Sequence, residues 1–137
     1  MSAVVVGTQI PEFRVEGVEP WRMKVFAALA RDPNPIHWDR REVAARGLGD
    51  RLINQGPTNL GYVCNMLVAW AGPEALRDLR VRFTANVFDG DTVVAGGVVT
   101  GLRELGGERL ADCEVWLDRV DGTRTVDGTA TVVVPSA

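Results

Sequence analysis

The feature that most constrains this chain is a change of hydrophobic period near Leu79. From there Leu79, Val81, Phe83, Ala85 and Val87 alternate with Arg80, Arg82, Thr84 and Asn86, the pattern of a half-buried strand. Asp89-Gly90-Asp91 supplies a turn. Residues 92–105, 109–120 and 123–135 read as three more strands, separated by Gly106-Gly107 and Asp121-Gly122, both two-residue hairpin signals. Consecutive antiparallel strands with one apolar face need something to cover that face.

The candidate cover is residues 57–70. Pro57 after Gly56 suits an N-cap and N1 pair, and Gly72-Pro73 ends the segment. Leu60, Val63, Cys64, Leu67, Val68 and Ala71 form a wide arc with few charges, as in a helix wrapped by a curved sheet. Further upstream, Glu19-Pro20-Trp21 reads as a helix start, with Trp21, Val25, Phe26 and Leu29 near helical spacing. That helix stops by Arg31 or Asp32, because Pro33 disfavours helical geometry in the residue before it. Residues 40–46 fit one short helix, and Val4-Val5-Val6 fits a short strand. The fold class expected is α+β in one domain, residues 1–137.

Composition narrows the function. An apolar share of 46% with 24% charged residues is that of a globular domain and excludes a disordered chain. The net charge of -3, with both signs interspersed, offers no footprint for a nucleic acid. No apolar run approaches a membrane span, and the first residues lack the basic region of a signal peptide. Cys64 and Cys113 form no CxxC, so neither a disulfide framework nor a zinc site is expected, but two buried thiols in a reducing cytosol. A cytoplasmic location follows as an expectation.

Chemistry concentrates in Asp32-Pro33-Asn34-Pro35-Ile36-His37. Two prolines remove two donors and fix two φ angles, so this is a stiff, shaped loop. A carboxylate and an imidazole can share one water, one taking a proton while the other orients the water or returns the proton. His37 is the only histidine, and Asn34 offers both a donor and an acceptor to fix the loop or the ring. The residues alone also fit an Asp-Pro turn with a structural histidine. Gly56 has two readings as well: an ordinary cap, or a backbone N–H at a helix N-terminus that stabilises a developing oxyanion. Trp116 falls on the strand face opposite Val115 and Leu117, as core packing, a subunit contact or an acyl pocket would each allow. Arg80 and Arg82 project from a polar face, either solvated or meeting a phosphate-bearing carrier.

The segment from Phe26 to His37 resembles the hydratase motif of the MaoC-like family, the (R)-specific enoyl-CoA hydratases and dehydratases: an aromatic, then G-D-x-N-P-[LIV]-H. Asp32, Asn34, Pro35, Ile36 and His37 match it. The stretch 53–70 is similar to the family's central helix, and Arg82-Phe83-Thr84 followed by Gly90-Asp91 to its first long strand and turn. The similarity is strongest to the actinobacterial branch. Arg31 stands where the family has glycine, Gln55-Gly56 where it has His-Gly, and Pro57 where methionine is common.

The resemblance implies a hotdog fold, an antiparallel sheet around a long central helix, with two such units pairing as a homodimer or heterodimer. It implies a hydro-lyase that interconverts a trans-2-enoyl thioester and its (R)-3-hydroxyacyl form. Asp32 and His37 would be the catalytic pair, Gly56 the oxyanion-hole amide and Asn34 the loop support. No metal and no redox cofactor are implied, and the thioester would be carried by coenzyme A or acyl carrier protein. A thioesterase on the same fold and a non-catalytic subunit of a heterodimer are the rival readings.

Overall fold

The computed structural model describes residues 3–136. Its strands are β1 (Gln9–Val15), β2 (Leu76–Phe83), β3 (Val93–Leu105), β4 (Glu108–Arg119) and β5 (Arg124–Val134). All pair antiparallel in one sheet, in the order β1-β3-β4-β5-β2. The helices are α1 (Pro20–Ala30), α2 (Arg40–Ala45) and α3 (Gly56–Ala71), with a single 3-10 turn at Pro35–His37. The two glycine hairpins form where the sequence puts them, at Gly106-Gly107 and around Gly122.

The alternation decides which side of the sheet α3 occupies. Val93, Ala95, Val99, Ala111, Cys113, Val115, Leu117, Val126, Ala130 and Val132 are all buried and form one cluster with Val63, Met66 and Leu67 of α3. One register row runs Ile10, Gly97, Val115, Gly128, Val81 across the whole sheet. Its glycines let neighbouring backbones come close. A Cβ on Gly128 would lie 2.1 Å from the Arg80 carbonyl oxygen and 2.9 Å from the Val81 Cα, both main-chain atoms that cannot swing aside. Gly128→Ala therefore pushes β2 off β5, and urea titration is expected to show a loss of roughly 1–3 kcal/mol, the usual range for overpacking.

Four details differ from the sequence reading. Val4-Val5-Val6 is not a strand: Val5 to Thr8 make a turn, with the Thr8 N–H on the Val5 carbonyl and Gly7 at φ 91°. The strand is Gln9–Val15, disguised because its register shifts between Ile10 and Phe13, where Pro11 and Glu12 interrupt the alternation. Proline is tolerated at such a bulge on an edge strand. Second, β2 starts and ends earlier than the alternation suggests: among the described residues after Phe83 only Thr84 still bonds β5, and the buried Val87 gives its carbonyl to the Asn54 N–H instead.

Third, α1 buries Met23 and Ala27, not the residues that the helical spacing picked out; Trp21, Val25 and Leu29 are exposed, Leu29 at 81%, and Phe26 is half-buried. Fourth, only Cys113 is buried, while Cys64 is half-buried, and neither is paired. Burial pushes the Cys113 thiol up to about 11, with Asp112 adding to the shift, and raises Cys64 in the same direction.

Trp116 lies on the outer face of the sheet, over Gly96, where the guanidinium of Arg124 stacks 4.9 Å from its ring. It is not part of the core. Arg80 and Arg82 are exposed on the same face, 3.1 Å from Asp78 and 3.8 Å from Asp127. No helix among the described residues is long and apolar enough to cross a membrane.

Candidate active site

The loop after α1 is shaped by how that helix ends. The Arg31 N–H bonds the Ala28 carbonyl at 3.3 Å and the Asp32 N–H bonds the Ala27 carbonyl at 2.9 Å, the paired closure of a Schellman cap. Such a cap needs a left-handed residue, and Arg31 supplies it at φ 52°, ψ 40°. The substitution of the family's glycine by arginine therefore keeps the backbone shape, at the steric cost a Cβ brings to that region.

Asp32 then turns the chain. Its Oδ1 accepts the Asn34 N–H at 3.0 Å, an Asx turn that fixes the carboxylate and the backbone together. Asn34 caps the 3-10 turn and accepts a hydrogen bond from Arg46 Nη1 at 3.1 Å, tying the loop to the end of α2. The turn carries His37 inward to 8% exposure.

The two ring nitrogens of His37 have different partners. Nδ1 lies 2.6 Å from the Ile53 carbonyl oxygen. A carbonyl only accepts, so Nδ1 carries the proton. Nε2 is thereby left with its lone pair in the neutral ring, and it faces Asp32 Oδ2 at 3.3 Å. A carboxylate and an imidazole lone pair side by side are two acceptors that a single water can bridge by donating one hydrogen to each.

The strand-like segment before α3 is held from both sides. The Ile53 N–H donates to the Ile36 carbonyl at 3.0 Å, so the loop and this segment exchange two hydrogen bonds. The Asn54 N–H reaches the Val87 carbonyl at 2.8 Å, and the Asn54 side chain donates to Asn59 Oδ1 at 2.9 Å and to the Tyr62 hydroxyl at 3.3 Å. Buried Asp89 completes the clamp, accepting from the Leu52 N–H at 3.2 Å and from Arg40.

Gly56 is the first residue of α3, and Gln55 the cap, one position earlier than the sequence suggests. The Gly56 N–H makes no hydrogen bond within the described residues, and a Cβ there would touch the Phe83 ring at 3.3 Å. The N-terminus of a 16-residue helix thus presents an open amide three positions after the carbonyl that holds His37.

Beside Asp32 lies a surface hollow of about 420 Å³, lined by Lys24, Ala27, Ala28, Asp32, Pro33 and Trp38. Another of about 420 Å³ sits on the outer face of the sheet, between Arg82 and Asp127, with no carboxylate–imidazole pair. Chemistry favours the first. Sequence reasoning named Asp32, Asn34, His37 and Gly56. It missed the Ile53 carbonyl, Arg46 and Asp89, whose roles depend on contacts between distant segments.

One antiparallel sheet wrapped on one long helix in this strand order is the hotdog fold. The chain belongs to the MaoC-like dehydratase family: the family's "MaoC like domain" matches residues 7–116, which include the loop, α3 and most of the sheet. Among solved structures it is similar to the (R)-hydratase from A. caviae involved in PHA biosynthesis. That match has 26% identity and a TM-score of 0.85, covering 98% of this chain and all of that one. It is also similar to the ChsH1-ChsH2 complex from Mycobacterium tuberculosis, at 26% identity and a TM-score of 0.81, covering 97% of this chain and 100% of that chain. By sequence it is 23% identical over 111 residues to the mitochondrial 3-hydroxyacyl-[acyl-carrier-protein] dehydratase FERN of Solanum lycopersicum, covering 81% of this chain and 67% of the relative.

Proposed function

We propose that this chain, as one hotdog domain, is a hydro-lyase that interconverts a trans-2-enoyl thioester and its (R)-3-hydroxyacyl thioester. The observation that carries the reading is the His37 Nε2–Asp32 Oδ2 pair at 3.3 Å, with Nδ1 already committed to Ile53.

In the hydration direction a water donates one hydrogen to His37 Nε2, which orients it, and the other to Asp32. Asp32 takes that proton as the water oxygen bonds to C3 of the enoyl group. The C2=C3 electrons move toward the thioester, whose oxygen gains negative charge. The Gly56 N–H, at the positive end of α3, stabilises that oxygen. Asp32 then returns its proton to C2. One water has been added, and the pair is back in its starting state. Dehydration is the same path reversed. The carrier is coenzyme A or acyl carrier protein.

Pairing with a second hotdog subunit, identical or not, is part of the reading. Edge strand β2 leaves Phe83 54% exposed beside the start of α3, and an open sheet edge invites a partner strand. The similarity to a chain solved as the ChsH1-ChsH2 complex supports a heterodimer as one form of that pairing.

The test is to purify the chain alone and follow loss of enoyl absorbance across short, long and polyketide-like enoyl-CoA substrates, with chiral analysis of the product. (R)-3-Hydroxyacyl product supports the reading. Hydrolysis to free CoA with no hydration overturns it in favour of a thioesterase.

A further inference from the structure

Three functions meet in residues 53–56. The Ile53 carbonyl holds the His37 ring, and Gly56 opens α3 with an unbonded N–H. Between them Gln55 is 1% exposed, and its Nε2 donates to the Met23 carbonyl of α1 at 2.8 Å. Among the described residues this is the one side-chain hydrogen bond between α1 and that segment. It matters because α1 sets Asp32: the Ala27 carbonyl, one turn beyond Met23, receives the Asp32 N–H.

Ordinary structural roles do not account for Gln55. It caps α3 by position, but its side chain accepts no capping hydrogen bond. Its Oε1 is buried and takes a hydrogen bond from none of the described residues, and the same holds for Thr58 Oγ1. A buried acceptor without a donor costs stability, and an apolar side chain of the same length would fill the space without that cost. What glutamine supplies at this position, and leucine cannot, is the donor to Met23.

We infer that Gln55 is a positioning residue: it fixes the end of α1, which carries Asp32, against the start of α3, which carries the His37 anchor and the Gly56 amide. It touches no reacting atom. The inference rests on the hydro-lyase reading above, whose Asp32, His37 and Gly56 must keep a set spacing for one water and one thioester. It gives the Gln-for-His difference from the family pattern a physical meaning, since histidine can also donate from this position.

The test uses Gln55→Leu, Gln55→Met and Gln55→His in the full chain. Leu and Met are expected to leave the melting temperature unchanged or raised while kcat falls about 10- to 100-fold, the scale of a small misplacement of catalytic groups. KM is expected to move by no more than about twofold, because binding is not what is lost. Gln55→His should recover most of the turnover. Because His37 is the only histidine, its ring resonances form one unambiguous set, and they should shift in folded Gln55→Leu and Gln55→Met. Wild-type kcat in a folded Leu or Met variant overturns the inference, as does a turnover loss that tracks a fall in melting temperature and is not recovered by histidine. If the wild-type chain hydrates no enoyl thioester, the hydro-lyase reading fails by itself. The ring resonances then decide the positioning role: unchanged signals overturn it and shifted signals keep it.

Discussion

Asp32→Asn is expected to fold like the wild-type chain and to lose turnover by about 10²- to 10⁴-fold, the usual contribution of one general base. The geometry separates the two effects cleanly. Asparagine keeps an Oδ1 to accept the Asn34 N–H that now bonds Asp32 at 3.0 Å, so the Asx turn survives. The Schellman cap uses only the Asp32 backbone N–H, which asparagine retains. What changes is the atom facing His37. In place of Oδ2, 3.3 Å from Nε2, stands an amide nitrogen that donates to the ring and cannot take a proton. The variant therefore both removes the base and occupies the Nε2 lone pair that would orient the water. Circular dichroism and a melting curve establish the fold, and loss of enoyl absorbance measures the rate. A folded Asp32→Asn protein with wild-type rates ends the assignment of Asp32 as the base.

Much of this architecture was legible in the sequence because most of it follows local rules. The two-residue period of the second half, the glycine hairpins, Pro20 opening α1 and Gly72 closing α3 depend on nearest neighbours, and the structure repeats them. Strand β1 was not legible, because Pro11 and Glu12 break its alternation between Ile10 and Phe13 and only pairing with β3 makes it a strand. The orientation of α1 was hidden for a related reason. Periodicity says that a helix has a face, but not that the Met23 carbonyl will be held by Gln55 from 32 residues away. The same division runs through the site. Asp32 and His37 share one rigid loop and can be named from its spacing. The Ile53 carbonyl that sets the tautomer of His37 is a main-chain atom in another segment, which no side-chain pattern announces. Buried Asp89, which fastens Leu52, reads in the sequence only as part of a turn.

Replacing both members of the pair is expected to cost little more than replacing either one. Removing His37 needs a substitution that respects its second role, because the ring is buried and its Nδ1–H is the donor to the Ile53 carbonyl. Alanine would leave that carbonyl without a donor and lose stability of about 1–3 kcal/mol, confusing a folding defect with a catalytic one. Asparagine places an amide nitrogen near the Nδ1 position and has nothing at Nε2, so His37→Asn tests the Nε2 face alone. That variant should fold and lose turnover by about 10²-fold or more. With Nε2 gone, the water has a proton acceptor in Asp32 but no second acceptor to orient it. With Asp32 replaced by asparagine, it has no base, and the amide nitrogen holds the Nε2 lone pair that would have oriented it. Either loss empties the shared step, so the Asp32→Asn/His37→Asn double variant has nothing further to lose from it, as for other residues that act as a unit. The measurement is a cycle of four proteins under single-turnover conditions, each first shown to be folded. If the two losses multiply instead, the residues act independently, the bridged water is the wrong description of the 3.3 Å pair, and one of the two contributes only to the geometry of the loop.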